Sequence, residues 1–113
     1  MTKQTTRRLT YHTDPSHGWI EVNRADLDAL DIAHKITAYS YERGPRVFLE
    51  EDQDAATYLD AAKAAGWRVT MSEIYSPESM VRTFNHYQPR ITPAALINAA
   101  QRIGKLHVIH VSN

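Results

Sequence analysis

The sequence feature that most constrains the fold is an order of elements that occurs twice, in which two short strands joined by a turn precede a helix. Alternating apolar and polar side chains indicate the strands, and an apolar spacing near 3.6 residues indicates the helices. The predicted strands and helix cover 8–13, 19–22 and 24–30 in the first unit, and 36–43, 46–50 and 53–65 in the second. Neither unit can bury its own apolar face, so we expect one antiparallel or mixed sheet covered by helices, an α+β fold.

Turn and capping residues predict where these elements end. The loop that begins at Asp14 contains a turn-opening carboxylate and ends at Gly18, which is expected to supply a positive φ. Asn23 and Asp52 are predicted helix N-caps, because short polar side chains accept hydrogen bonds from the free N–H groups at helix starts. Gly66 is predicted to end the second helix.

The last third of the chain has a different character. We predict a fifth strand over 67–75, a short helix that begins after Ser76-Pro77, a helix over about 93–102 and a final strand over 105–111. The chain is expected to form a single domain over 1–113, with an α+β core over 1–89 and a C-terminal helix and strand over 90–113.

Composition excludes several classes of protein. The chain of 113 residues carries 13 basic and 13 acidic side chains, so its formal net charge is zero. It has no cysteine, which excludes disulfides, thiolate metal sites and cysteine nucleophiles. It contains no apolar run of the roughly 20 residues that a membrane helix needs. Its polar N-terminus does not resemble a signal peptide. We therefore expect a cytoplasmic protein with no membrane partner, and no motif implies a cofactor.

Four short blocks of sequence resemble a family of small proteins encoded by bacteriophages, prophages and plasmids. They are YHTDPSHGW at 11–19, IAHKI at 32–36, YSY at 39–41 and LEEDQDA at 49–55, in that order, with a weaker likeness from Ser76 to Tyr87. Family members commonly stop near Tyr87 or Pro89, so residues 90–113 are expected to be an addition. The family has no established activity, and the resemblance therefore implies a genomic setting, in which anti-defence roles are common, rather than a reaction.

His12, Asp14 and His17 form the cluster that most resembles a catalytic site. Two imidazoles and a carboxylate within six residues can bind a divalent metal that activates water. Strand alternation, however, sends neighbouring side chains to opposite faces, and Asp14 is expected to bond the amides of its own turn. The sequence favours a capped hairpin with histidines that face a partner, and a metal-dependent hydrolase or nuclease remains the alternative.

Charged side chains are separated along the chain. Glu50, Glu51 and Asp54 stand at a strand-to-helix junction, where Asp52 is expected to cap the helix while Glu51 and Asp54 complement its dipole. The same carboxylates are candidates for an acidic surface that meets a basic partner. Beyond Ser79 the chain has basic residues and no acid. The basic candidates for binding a nucleic acid are Arg82, Arg90, Arg102 and Lys105.

These observations favour a non-catalytic protein that binds a host protein or ribonucleoprotein complex. An inhibitor of bacterial immunity, such as an anti-CRISPR or anti-restriction protein, fits the resemblance and the separated charge. A regulator that binds nucleic acid through the basic C-terminal segment is a further alternative, although a net charge of zero disfavours it. A homodimer is left open, because an exposed edge of the last predicted strand would permit one.

Overall fold

The computed structural model describes residues 4–90 and confirms the α+β fold. Its strands are β1 (Thr6–Thr13), β2 (Gly18–Asn23), β3 (Tyr41–Arg43), β4 (Arg46–Glu50), β5 (Arg68–Tyr75) and β6 (Asn85–His86), and its helices are α1 (Arg24–Ala29) and α2 (Asp54–Ala64). The strands form one mixed sheet in the order β5-β1-β2-β4-β3-β6, in which β1 and β5 are parallel and the other pairs antiparallel. The predicted helix over 93–102 and strand over 105–111 lie outside the described residues.

The two helices cover one side of the sheet, which we call the covered face. Its side chains alternate along the strands and pack against apolar residues of the helices, as period-2 patterning requires. The sheet contributes Leu9, Ile20, Val22, Val47 and Leu49, and the helices contribute Leu27, Ala55, Tyr58 and Ala62. All nine are buried, so this layer is the main core.

Both helices end with the same backbone arrangement. Gly66 has φ +80 after α2, and the N–H groups of Gly66 and Trp67 bond carbonyls of the last helical turn at 3.0 and 2.9 Å. Asp31 occupies the corresponding place after α1 with φ 57, and the N–H groups of Asp31 and Ile32 make the same two bonds at 3.0 and 2.9 Å. This is a Schellman motif. The prediction that Gly66 ends the second helix is confirmed.

The predicted strand over 36–43 is wrong in its first half. Only Tyr41–Arg43 pairs with the sheet, and a 3₁₀ helix (Ala33–Lys35) and a turn precede it. The reason is a buried carboxylate at the start of α2. The backbone N–H and hydroxyl of Thr37 and the hydroxyl of Ser40 donate to Asp54 at 3.0, 2.8 and 2.5 Å. These bonds hold the segment against the helix and away from the strand ladder.

Three local predictions need correction. Gly18 does not have a positive φ; it is needed because a Cβ there would lie 2.7 Å from ring carbons of Tyr11. Asn23 is the N-cap residue of α1, but its side chain accepts a hydrogen bond from Arg46 rather than from the helix. The helix predicted after Ser76-Pro77 is a 3₁₀ helix (Met80–Thr83), and the Ser79 hydroxyl caps it by accepting the Val81 N–H at 3.3 Å.

No helix within residues 4–90 has the length and apolar character needed to cross a membrane.

Candidate binding site on the open face of the sheet

The side of the sheet that the helices leave uncovered, which we call the open face, has a smaller core of its own. Trp19 and Phe48 point to this side from β2 and β4, and Val81 of the 3₁₀ helix packs against them. These three side chains are buried, while Tyr41 and Phe84 at the margin of the cluster are partly exposed. The segment after β5 is thereby fixed across part of the open face.

A cavity of about 770 Å³ lies between this segment and the sheet, and we call it the open-face cavity. Its walls are mainly apolar, and they are formed by Phe48, Ile74, Met80, Val81 and Phe84. Ile74 and Met80 are 55% and 64% exposed, so the rim also presents apolar surface to solvent. Its volume falls within the range of about 300–1,000 Å³ that is typical of ligand pockets.

A network of three polar side chains from three strands borders the cavity. Glu21 receives Arg46 Nε at 2.8 Å on one carboxylate oxygen, and His12 Nε2 lies 2.8 Å from the other. Burial acts to raise the pKa of Glu21, but the bonds from His12 and Arg46 outweigh it and leave that pKa below its usual value. Glu21 is therefore a carboxylate at neutral pH, and its charge is balanced by Arg46.

Arg43 is the cation at the rim that remains available to a partner. Its guanidinium carbon lies 5.2 Å from the centre of the Phe84 ring, and the side chain is exposed. Within residues 4–90 it forms no ion pair, whereas Arg7, Arg24, Arg46 and Arg82 each do. The rim thus combines apolar surface with this cation, and exposed Glu78 adds one carboxylate to the lining.

A second depression of about 420 Å³ lies on the other side of the Trp19 cluster. Aromatic rings line it: Tyr41 and His86 stack with centroids 4.8 Å apart, and Tyr39 is 75% exposed. Glu50 and Asp52 border the same depression. Rings together with carboxylates suit a cationic side chain, but the depression is smaller and more polar than the open-face cavity.

The hairpin loop uses Asp14 for structural contacts, as its turn chemistry predicts. One carboxylate oxygen accepts the N–H groups of Ser16 and His17 at 3.0 and 2.9 Å. The other receives Arg82 Nε at 2.6 Å. The Arg82 side chain and these amides hold the pKa of Asp14 well below its usual range. A metal ion at this carboxylate would have to displace Arg82.

The two histidines of the predicted cluster have different neighbours. His12 lies on the open face beside Glu21, whereas the His17 ring is 6.1 Å from the ring of Trp19. Within residues 4–90, no three His, Asp or Glu side chains are placed so that they could share a metal ion. The structure therefore does not bring His12, Asp14 and His17 together as one ligand set.

The predicted acidic surface is divided among three different environments. The predicted cap at Asp52 is wrong, because Gln53 occupies the N-cap position of α2 without a side-chain cap bond. The Glu50 carboxylate instead accepts the N–H groups of Asp52, Gln53 and Asp54 at 2.8, 2.6 and 3.1 Å. Glu51 is exposed and accepts the hydroxyl of Tyr11 at 2.8 Å. Asp54 is fully buried at the start of α2, so its predicted place on an acidic surface is wrong.

The predicted basic surface loses one of its members, because Arg82 is engaged in contacts within the fold. Arg82 is paired with Asp14 and donates to the hydroxyl of Ser16 at 2.7 Å, and its guanidinium carbon lies 5.2 Å from the Trp19 ring centre. It therefore holds the hairpin loop to the 3₁₀ helix rather than standing free for a phosphate. Arg90 is exposed, and Arg102 and Lys105 lie outside the described residues.

Sequence reasoning missed Ile74 and Met80 as members of a site. A signal for Ile74 was present in the strand sequence RVTMSEIY, where apolar residues fall on both faces of the strand instead of one. Nothing in the sequence placed Met80 in the same cavity lining as Phe48, since that placement depends on how the segment after β5 folds back over the sheet.

Comparison of the chain with family models, with curated proteins and with solved structures finds no match. Function is therefore argued from the geometry of the described residues.

Proposed function

We propose that the chain is a non-catalytic protein of a mobile genetic element that binds a host protein in the bacterial cytoplasm and thereby inhibits an immune system of the host. The open-face cavity is the proposed binding site. The observation that carries the proposal is an apolar concavity with exposed apolar side chains at its rim, on the side of the sheet that the helices leave open. Such a surface is typical of a site that receives an anchoring side chain of a partner.

The dimensions and lining of the cavity indicate what would enter it. A Leu, Met or Phe side chain moved from water into an apolar pocket contributes about 2 kcal/mol. Phe48, Ile74 and Met80 supply the apolar contacts, and exposed Arg43 favours an acidic residue next to the anchor. The proposed partner segment therefore presents a bulky apolar side chain flanked by a carboxylate.

Protein is a better supported partner class than nucleic acid. The chain has zero net charge, and two of the arginines near the open face, Arg46 and Arg82, are paired with carboxylates. Strong nucleic-acid binding depends on many free cations that release counterions from phosphates. The cavity lining instead matches the apolar centre and polar rim of a protein interface.

The inhibitory role rests on the family resemblance, and it is tested with purified components. We expect the chain to co-elute in size-exclusion chromatography with a CRISPR effector or restriction complex of the host. Met80→Glu introduces a charge at the cavity rim and is expected to abolish co-elution. Ala56→Glu is the matched control, because it adds the same charge at an exposed position of α2, on the covered side of the sheet.

The outcomes separate the two parts of the proposal. Co-elution of wild type and Ala56→Glu, but not of Met80→Glu, supports both the partner class and the site. Co-elution of the wild type and both variants would place the interface elsewhere. If the wild type co-elutes with none of the complexes, the inhibitory role is contradicted.

A further inference from the structure

The outer edge of β5 is the most exposed apolar strand edge in the described part of the chain. β5 stands at the end of the sheet and is hydrogen-bonded to β1 alone among the described strands. Met71, Ile74 and Tyr75 are 48%, 55% and 58% exposed. The strand has no lysine and no proline, which are the usual residues that protect an edge from pairing.

The hydrogen-bonding pattern shows which backbone groups of β5 have no partner within residues 4–90. The N–H of Arg68 donates to Thr5 and the N–H of Ser76 donates to Thr13, at 2.8 and 2.9 Å. In a parallel ladder every second residue bonds the same neighbour, so even-numbered residues of β5 face β1. The odd-numbered residues therefore direct N–H and C=O groups away from the sheet, and they are Val69, Met71, Glu73 and Tyr75.

We propose that a second copy of this chain pairs with this edge, β5 against β5 and antiparallel, around a two-fold axis that passes through Ser72. In this register Val69 lies opposite Tyr75 of the second copy and Met71 lies opposite its Glu73. Each such pair joins residues whose N–H and C=O groups have no partner among the described residues, so all four outward-facing residues become hydrogen-bonded. The pairing extends one sheet through both copies.

In this register the side chains of β5 form favourable pairs with those of a second β5, which favours a second copy of the chain over an unrelated strand. Val69 with Tyr75 is a β-branched and aromatic pair, and Thr70 on the other face meets Ile74 of the second copy; such cross-strand pairs are stabilising. No like charges lie directly opposite each other. The zero net charge of the chain means that two copies do not repel each other at neutral pH.

The proposed symmetry has a geometric consequence for binding. A two-fold axis perpendicular to the sheet places both open faces on the same side of the extended sheet. The dimer would then present two open-face cavities in one direction. The pairing itself depends only on the β5 edge and does not require the proposed function.

Sedimentation equilibrium of the full chain tests the assembly. We expect a reversible dimer, and we expect Met71→Pro to raise its dissociation constant about tenfold or more, because it removes an outward N–H from each copy. Proline is tolerated at an edge position whose N–H does not serve the ladder, so the β1–β5 pairing is retained and circular dichroism should be unchanged.

Cysteine cross-linking tests the register without relying on the proline variant. The chain has no native cysteine, so a single introduced thiol reports one position. Ser72→Cys places two thiols on the axis, where opposite Cα atoms are about 4.5 Å apart and a disulfide can form. Thr70→Cys is the matched control, because its two copies would be separated by four residues along the strand, roughly 13 Å.

Rapid disulfide dimer formation by Ser72→Cys, but not by Thr70→Cys, supports the proposal. A wild-type chain that stays monomeric at several hundred micromolar overturns the proposal. That result is expected if another segment of the chain or a partner strand covers the β5 edge. Cross-linking of both variants at equal rates, or of Met71→Cys in place of Ser72→Cys, overturns the proposed axis.

Discussion

The two faces of the sheet differ in how completely they are packed. On the covered face, Val22, Val47 and Leu49 have no solvent exposure and lie beneath two helices. On the open face, Phe48 is nearly as buried, but one side of it borders a cavity of about 770 Å³. Phe48 and its neighbours Val47 and Leu49 on β4 thus belong to two layers that differ in packing.

This difference indicates which face of the sheet contributes most to stability and which face is available for binding. A fully packed layer gains dispersion contacts on every side of each side chain, whereas a side chain that borders a cavity lacks some of them. The open face gives up part of its packing energy and keeps an apolar surface that a partner can fill. We therefore assign stability mainly to the covered face, and this packing difference supports the proposal that binding uses the open face.

The largest expected effect comes from truncating neighbours on β4 that point to opposite faces. Leu49→Ala should lower the free energy of unfolding by about 4 kcal/mol, because it leaves a void in the covered core. Phe48→Ala should cost only about 2 kcal/mol although it removes more atoms, because its side chain already borders empty space. Urea unfolding of both variants checks this order. A greater loss for Phe48→Ala would show that the open face is packed as fully as the covered one.

Two carboxylates that pair with arginines provide a second comparison of the two faces. Asp26, on α1, receives Arg7 Nε at 2.8 Å and the hydroxyl of Tyr58 at 2.9 Å, and its side chain is 5% exposed. Asp26→Asn should cost about 2 kcal/mol, because a buried charge-assisted pair is broken. Glu21→Gln on the open face should cost about 1 kcal/mol, since Arg46 can turn to solvent. Equal losses, measured by urea unfolding, would contradict the comparison.

Acid unfolding tests the tie between the hairpin loop and the segment over the open face. The pKa of Asp14 is depressed in the folded protein by Arg82 and by two backbone amides. Its contribution to stability is therefore present above the unfolded value of about 4 and is lost as the pH falls below it. Wild-type stability should fall more steeply below about pH 4 than that of Asp14→Asn. Parallel stability curves of the two proteins, recorded by thermal unfolding against pH, would contradict this assignment.

The smallest expected effect on stability comes from the cavity rim. Met80 is 64% exposed, so Met80→Glu should change the free energy of unfolding by no more than about 0.5 kcal/mol. The same substitution should sharply reduce binding of the dye ANS, whose naphthalene ring and sulfonate match the apolar walls and Arg43. Fluorescence titration compares it with Ala56→Glu. Unchanged dye binding by Met80→Glu would show that the open-face cavity is not the apolar site.

The tandem order of strands and helices could be predicted because it depends on local patterns. The alternation in β1, β2, β4 and β5 and the C-cap at Gly66 require only nearby residues, and each is found within a residue or two of its predicted place. The start of α2 shows the limit of such patterns, because Gln53 and not Asp52 is the N-cap residue, and the Glu50 carboxylate accepts the N–H groups there. Both residues can reach free N–H groups, and only the path of the chain decides between them.

The candidate site could not be predicted because it depends on contacts between distant residues. Arg82 meets Asp14 across 68 positions, and the buried Asp54 draws Thr37 and Ser40 out of a strand that their own sequence favours. Charges that look free along the chain are therefore paired in the fold. The exposed apolar side chains at the cavity, Ile74 and Met80, were not singled out by any motif.

Phage plating on cells that carry an active CRISPR or restriction system tests most directly whether the chain acts through its open face. Expression of the wild type or of Ala56→Glu should raise plating efficiency on immune cells to that on cells without the system, and Met80→Glu should fail to do so at equal protein abundance. Equal protection of the phage by Met80→Glu and Ala56→Glu, or none by the wild type, would contradict the account.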